Sequence, residues 1–209
     1  MKSTTVVITG GKGDIAQAIA NNLKKDTETH YVVKLPGRDE LNVTDIEQVN
    51  AYFQSECPDI LINNAGAILL EGIEKNNIEA HRRVIDVNLT GVFACTGAAL
   101  QVNPKLKVIN IGSSAGTKIH GDWSSYCASK AAVIMATACW AEGGVDAICI
   151  SPGRALTKMR KSMYPEEDPT TLMRPEDFAI IVHQAINGAY KSGINLNVNL
   201  SNITSLIHG

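Results

Sequence analysis

TTVVITGGKGDIA, residues 4–16, joins a short β-branched run to a cluster of glycines and the start of a helix. The run predicts a strand at residues 4–9, and residues 14–25 predict an amphipathic helix. The turn GKGDIA matches G-x-G-x-x-G/A, in which glycines let a pyrophosphate approach the backbone at a helix N-terminus. A plain turn would also fit the glycines. The strand before them and the helix after them therefore carry the prediction of a dinucleotide site.

The composition describes one globular domain over residues 1–209, with 44% apolar and 19% charged residues. A net charge of −2 without a basic tract gives no indication of nucleic acid as a partner. No run approaches a membrane span or a signal peptide, so we expect no membrane. The five cysteines are odd in number and lack CxxC spacing, and the histidines are dispersed. They favour the reducing cytoplasm and give metal ligation little support.

Strand and helix patterns alternate along the rest of the chain. β-type runs occupy residues 30–35, 59–63, 107–112, 146–150 and 194–200, and helical patterns occupy residues 45–57, 76–100, 124–142 and 174–191. This alternation predicts an α/β fold: a doubly wound parallel sheet of the Rossmann type, covered on both faces in three layers.

A second stretch, GSSAGTKIHGDWSSYCASK at residues 112–130, carries a hydroxyl, a phenol and an amine suited to carbonyl reduction. Tyr126 and Lys130 are four residues apart, so a helix places them on one face. An ammonium near a phenol favours phenolate, and we expect the pKa of Tyr126 to fall. Ser113 follows a predicted strand and could reach the same substrate oxygen. Taken alone, such a Tyr-Lys pair is more often a packed ring beside a solvated amine.

Ser113, the thirteen-residue step to Tyr126 and the Ala-Ala after Lys130 resemble the catalytic signature of the short-chain dehydrogenase/reductase family. Further motifs of that family occur in order: the glycine turn, NNAG at residues 63–66, DVNLTG at 86–91, and Pro-Gly followed by a threonine at 152–157. The resemblance implies a domain that binds NAD(P)(H). It also implies transfer of a hydride between the nicotinamide and a carbonyl or secondary alcohol of a small molecule.

The resemblance also implies the roles of the catalytic residues. Tyr126 would donate a proton to the developing alkoxide, and Ser113 would polarise the carbonyl. Lys130 would lower the pKa of Tyr126 and bind the nicotinamide ribose, while Asn88 would hold a water that relays protons. The residues expected at the substrate are Ser113, His120, Trp123 and Tyr126, with Asp122, Met159 and Tyr164 as further pocket candidates.

The cofactor contacts are expected from several loops and one helix. They are Gly10, Gly11, Lys12, Gly13, Asp14, Ile15, Arg38, Asn42, Asn64, Ala65, Gly66, Tyr126, Lys130, Pro152, Gly153 and Thr157. After the second strand of such a fold, an arginine suits the 2′-phosphate of NADP and an acid suits NAD. Arg38 and Lys12 therefore favour NADP(H), whereas Asp39 and Glu40 keep NAD(H) open.

Three departures from the family pattern bear on these expectations. Asp14 stands where the family has a glycine; its carboxylate would lie near the cofactor phosphates, or cap the helix and point away. Residues 41–45 resemble a third strand, yet too few residues precede them for the usual crossover between parallel strands. That strand is either vestigial or paired unusually. Residues 203–209 replace the usual C-terminal segment at the pocket wall.

Alternatives to an oxidoreductase stay open. The departures favour a cofactor-binding sensor or scaffold without turnover, and the form of the glycine turn also permits an epimerase or dehydratase. Residues 92–100 and 131–141 are small and apolar. They predict helices that pack against a partner subunit in a homodimer or homotetramer, or that lie fully inside the molecule.

Overall fold

The computed structural model describes residues 3–208, and within that range six strands form one parallel sheet. The strands are β1 (Thr4–Ile8), β2 (Tyr31–Lys34), β3 (Ile60–Asn63), β4 (Lys107–Ile111), β5 (Asp146–Pro152) and β6 (Asn195–Val198). They lie in the order β2-β1-β3-β4-β5-β6. Because neighbouring strands are parallel, each connection has to cross a face of the sheet, and helices supply these crossovers.

The helices cover both faces. They are α1 (Asp14–Leu23), α2 (Ile46–Glu56), α3 (Ile78–Ile85), α4 (Gly91–Val102), α5 (Ser124–Glu142), α6 (Lys158–Met163), α7 (Pro175–Ile186) and α8 (Ile203–His208). One buried cluster joins the sheet to α1, α7 and α8, and two others join its opposite face to α2, α4 and α5. The predicted doubly wound, three-layer α/β fold is confirmed.

Residues 41–45 form no strand, so the first of the two alternatives holds. Leu41 and Val43 are buried in the cluster beneath α2 and α4, and Asp45 caps α2 by accepting a hydrogen bond from the Gln48 backbone at 3.1 Å. The segment therefore contributes Leu41 and Val43 to the core and Asp45 to the cap of α2. β2 is consequently an edge of the sheet, and α2 leads across from β2 to β3 on the far side of β1.

The long helix predicted at residues 76–100 begins at Ile78 and contains a π turn, Asp86–Thr90, between α3 and α4. By length and composition the whole helix, Ile78–Val102, could cross a membrane, contrary to our expectation that no run approaches a span. The core helix of a globular protein passes the same test. Cys95, Ala98 and Ala99 of α4 are buried in the cluster against the sheet, which accounts for the apolar composition.

A chain of buried amides ties the central strands to the helices. The Asn63 side chain donates to Thr96 Oγ1 at 2.9 Å and to Asn110 Oδ1 at 2.8 Å. Asn110 Nδ2 in turn donates to Thr137 Oγ1 at 2.8 Å. The chain links β3 and β4 to α4 and α5, and each of these groups finds the partner that buried polar atoms require. It fixes the position of α5, which carries Tyr126 and Lys130.

Candidate active site

A cavity of about 740 Å³ opens at the carboxyl ends of the central strands. The chain leaves β1 towards β2 on one side and leaves β3 towards β4 on the other. The strand order therefore reverses between β1 and β3, which is where ligands bind in open α/β sheets. The cavity is lined by every residue predicted to contact the cofactor except Gly11 and Gly153.

The glycine turn brings the backbone of β1 close to the end of β3. Gly10 has a φ of +66°, and a Cβ there would lie 2.9 Å from Ala65 Cα, so a larger residue would be both strained and obstructed. Gly11 faces away from the cavity, because a Cβ at that position would overlap the Leu35 carbonyl. Thr9 Oγ1 accepts from the backbone amides of Asn64 and Ala65 at 3.0 Å each. The turn is thereby held in one shape beside the N-terminus of α1.

The predicted 2′ site lies on the exposed loop after β2. Lys12 Nζ lies 3.5 Å from Asp39 Oδ2, an exposed pair, and Glu40 accepts from the Gly37 backbone at 2.9 Å. Glu40 is therefore engaged within the loop, and Asp39 faces Lys12 of the glycine turn. Arg38 is exposed, lines the cavity, and has no hydrogen-bond or ion-pair partner among the described residues.

Lys130 and Tyr126 lie together on α5, as the spacing predicts. The Lys130 ammonium is buried, donates to the Ile111 carbonyl at 2.8 Å, and lies 5.9 Å from the centroid of the Tyr126 ring. Burial lowers the pKa of Lys130 to about 8, and the Cys149 side chain partly opposes that change. The amine therefore changes charge near pH 8.

The expected fall in the pKa of Tyr126 is wrong for this structure. Burial raises the pKa of the phenol, and a hydrogen bond from Ser113 opposes the rise. Ser113 itself begins the 3-10 turn Ser114–Gly116, and its Oγ accepts from the Ala115 backbone at 3.1 Å. Desolvation penalises phenolate more than the neighbouring groups favour it. The phenol is therefore held protonated, and its contact with Ser113 brings the two hydroxyls together.

Asn88 is fully buried in the π turn and does not line the cavity. Its Oδ1 accepts from the Ala67 backbone at 2.7 Å, and its Nδ2 donates to the Ala67 carbonyl at 2.9 Å and to Ser129 Oγ at 3.0 Å. The side-chain amide is thus engaged by the loop after β3 and by α5. The side chain of Asn88 is therefore not free to hold the predicted water.

The aromatic residues predicted near the substrate lie together. His120 stacks on Trp123 with ring centroids 4.3 Å apart, and Trp123 meets the ring of Tyr126 edge-on at 6.0 Å. Tyr164 lies 6.5 Å from Trp123. His120 and Trp123 do not line the cavity itself. They extend an apolar wall from Tyr126 towards α6, where Met159 does line the cavity.

Of the two alternatives for Asp14, the capping of α1 is wrong, and the residue lines the cavity instead. Gly13 occupies the cap position, and Asp14 is the first helical residue. Its carboxylate turns across the cavity edge and accepts from the Lys158 backbone at 2.6 Å, with Lys158 Nζ 3.8 Å away. Thr157 caps the same N-terminal end of α6 by accepting from the Arg160 backbone at 3.1 Å. The structure thus joins the glycine turn to α6.

Sequence reasoning missed a group of charged residues on α3 and in the π turn. Glu79, Arg82, Arg83 and Asp86 line the cavity with Val87. These four residues recur at steps of three or four positions, so a helix places them on one face. That spacing could have indicated them from the sequence. Within residues 3–208, no group of three or more His, Cys, Asp or Glu side chains is placed to hold a metal ion.

This fold and cavity define a dinucleotide-binding α/β protein, and comparison with known proteins gives its family. The family described as short chain dehydrogenase matches residues 39–168, more than half of the chain. The chain belongs to that family. It is therefore an oxidoreductase of the class that couples a CH–OH or C=O group to NAD(P).

Individual relatives agree with this assignment. The chain is 30% identical to the 3-oxoacyl-acyl-carrier-protein reductase FabG of Vibrio harveyi over 76% of this chain and 74% of the relative. It is 27% identical to an uncharacterized oxidoreductase of Staphylococcus saprophyticus over 93% and 94% of the two chains. Among solved structures, ElxO with NADP bound is 22% identical, with a TM-score of 0.81 over 98% of this chain and all of that one. Levodione reductase is 20% identical, with a TM-score of 0.80 over the same shares.

Proposed function

We propose that the protein is an NADP(H)-dependent oxidoreductase that interconverts a carbonyl and a secondary alcohol of a small molecule through Ser113, Tyr126 and Lys130. The observation that carries the proposal is the position of these groups. The Tyr126 phenol, its partner Ser113 and the buried Lys130 amine lie together where the cavity meets the aromatic wall.

The residues around the cavity fit a dinucleotide. Gly10 and Gly13 leave the N-terminus of α1 open to a pyrophosphate, which the unpaired N–H groups and the helix dipole favour. Pro152 and Thr157 line the opposite wall, beside Tyr126 and Lys130, and would hold the nicotinamide end. The bound cofactor would supply or accept the hydride at its nicotinamide ring.

The protein's own groups would manage the proton. Tyr126 gives its phenolic proton to the carbonyl oxygen as negative charge develops there, and Ser113 donates a second hydrogen bond to that oxygen. Lys130 stabilises the resulting phenolate and holds the ribose. The main-chain carbonyl of Asn88 would hold the water that restores the proton, because its side chain is engaged by Ala67 and Ser129.

NADP(H) is favoured over NAD(H) because the guanidinium of Arg38 is available at the predicted 2′ site. Glu40 is engaged within its own loop by the Gly37 backbone, and Asp39 is an exposed carboxylate 3.5 Å from Lys12. Solved structures of the same fold were obtained with NADP or NADPH bound.

The function is tested with Tyr126→Phe, which removes one hydroxyl and keeps the ring. A panel of aliphatic, cyclic and aromatic ketones is supplied with NADPH, and oxidation is followed at the nicotinamide absorbance. We expect turnover to fall by about 10² to 10⁴, with NADPH binding, measured by fluorescence, nearly unchanged. Turnover near that of wild type would remove Tyr126 from the mechanism.

A second candidate is a cofactor-binding protein without turnover, favoured by the acidic Asp14 beside the expected phosphate site. Tight NADPH binding with no oxidation on any ketone, alcohol or sugar substrate would favour it. Conversion of a substrate without net change in the cofactor would indicate an epimerase or dehydratase instead.

A further inference from the structure

Residues 154–173, between β5 and α7, form a lid along one side of the cavity. Thr157, Lys158 and Met159 of the lid line that cavity. The lid is braced internally, because the Arg160 guanidinium makes two bonds to Glu167, at 2.6 and 2.8 Å, and Arg154 makes another at 3.0 Å. These bonds hold the outer part of the lid together as one unit.

At its base the lid is closed by two backbone hydrogen bonds between its own two ends. Leu156 N donates to the Met173 carbonyl, and Met173 N donates to the Arg154 carbonyl, each at 2.9 Å. Further out, Asp14 Oδ2 accepts from the backbone N–H of Lys158 at 2.6 Å. This contact joins the first residue of α1 to the first residue of α6, 144 positions along the chain.

We propose that Asp14 is a positioning residue that holds the lid closed against the glycine turn. A carboxylate is a stronger acceptor than a neutral group, and a bond to it is short. The lysine ammonium contributes little to this contact, because it lies 3.8 Å away and is 89% exposed. The bond to the backbone N–H is therefore the main contact between Asp14 and the lid.

The same carboxylate has a cost at the cofactor site. Asp14 is negative at the N-terminus of α1, where the helix would otherwise attract a pyrophosphate. A glycine would remove that repulsion, but it would leave the first N–H of α6 without its partner. Asp14 therefore weakens the binding of the cofactor phosphates and at the same time keeps the lid closed. This part of the inference rests on the proposed function, whereas the closure of the lid does not.

Limited proteolysis with trypsin tests the closure without any need for turnover. The lid contains Lys158, Arg160 and Lys161, and cleavage there reports the population of the open lid. Asp14→Ala removes the acceptor, and we expect cleavage after Arg160 to be about tenfold faster. Asp14→Asn keeps an oxygen acceptor and should stay within about threefold of wild type. Equal rates for wild type and Asp14→Ala would overturn the proposal.

The donor side gives an independent test. Lys158→Pro removes the N–H. Proline is tolerated at the first position of a helix when the residue before it is extended. Thr157, the residue before Lys158, is extended, with φ −128° and ψ 158°. We expect this variant to match Asp14→Ala, and the double variant to be no faster than either alone. Lys158→Ala keeps the N–H and should match wild type. Independent, additive effects of the two changes would count against a shared bond.

Two controls separate lid opening from general damage. Glu176→Ala removes an exposed carboxylate of α7 and should leave cleavage unchanged. Circular dichroism should give the same unfolding midpoint for all of these variants. If Asp14→Ala unfolds at a lower temperature, the Lys158→Pro variant replaces it as the test. Cleavage of Lys158→Pro at the wild-type rate would then refute the proposal.

Kinetics then tests the cofactor side. Both Asp14→Ala and Asp14→Asn remove the charge, so both should bind NADPH more tightly, by about threefold. In Asp14→Ala alone, KM for the carbonyl substrate should rise more than kcat falls, because the lid no longer holds that side of the cavity. Equal KM values in the two variants would contradict the positioning role. If turnover is absent altogether, the proposed function fails, and the proteolysis result stands by itself.

Discussion

At the scale of single residues, the site depends on the amine of Lys130, whose burial disfavours its charged form. Lys130 is buried with one hydrogen bond, to the Ile111 carbonyl, and its pKa is lowered from 10.5 to about 8. An unfolded chain would bind the proton more tightly, so folding releases protons between these values. Lys130 therefore opposes folding at neutral pH, and the opposition fades as pH rises.

We predict that Lys130→Met increases the free energy of unfolding at pH 7 by about 2 kcal/mol, after allowance for the lost hydrogen bond. The gain should shrink between pH 8 and pH 10, because wild-type stability rises over that range while the variant lacks the amine. Urea unfolding at several pH values measures it. Lys105→Met, at an exposed position, serves as the control. A Lys130→Met protein less stable than wild type at pH 7 would contradict this account.

Arg38 provides the second prediction at this scale. Arg38→Ala should weaken NADPH binding by about tenfold, the loss of one charge-assisted contact to a phosphate, and leave NADH binding within about twofold. Parallel fluorescence titrations measure both affinities. Arg174→Ala, on an exposed pair with Glu176, is the matched control. A similar loss for both cofactors would assign the 2′ site to another group.

At the scale of elements, the π turn between α3 and α4 is held by one side chain. Asn88 makes three hydrogen bonds, two to Ala67 and one to Ser129 of α5. We predict that Asn88→Ala lowers the free energy of unfolding by about 3 kcal/mol, since buried partners are left unsatisfied. Asn77→Ala, which removes an exposed cap of α3, should cost about 1 kcal/mol. Chemical denaturation compares the two, and equal losses would mean that the turn does not depend on Asn88.

At the scale of the whole molecule, α4 and α5 present an apolar face to solvent. Phe93 is 48% and Met135 is 65% exposed, and Gly97 and Cys139 are also exposed. We propose that a second copy of the chain covers this face, because both contributing helices are long and carry small residues that allow close approach. Exposed patches of this kind mark interaction sites.

This proposal predicts a concentration-dependent dimer or tetramer. Met135→Lys should shift the protein to monomer in sedimentation velocity, whereas Ile46→Lys, at a similarly exposed position on α2, should not. Circular dichroism checks that both variants fold. Wild-type protein that stays monomeric at all concentrations would refute the interface.

The order of elements and most of the cavity could be predicted from the sequence, because they follow local patterns. The β-branched run, the glycines and the helical spacing at residues 4–25 are such patterns, and so are the strand ends that carry Asn64 and Ser113. α6 could not be predicted, because its six residues, four polar and two methionine, are too few to show a periodicity. The contact of Asp14 with Lys158 was also beyond reach, since it joins residues 144 positions apart. The pKa of Tyr126 depends on burial, which spacing along a helix does not reveal.

The loss of the third strand has a practical consequence. The segment that replaces it is a short loop, and Arg38, Arg82 and Arg83, all exposed, line that end of the cavity. A dinucleotide bound there would keep the outer side of its adenine in contact with water. The protein should therefore accept nicotinamide dinucleotides tethered through the adenine to a polymer or a bead, which would suit it to a reactor in which the cofactor is retained and reused.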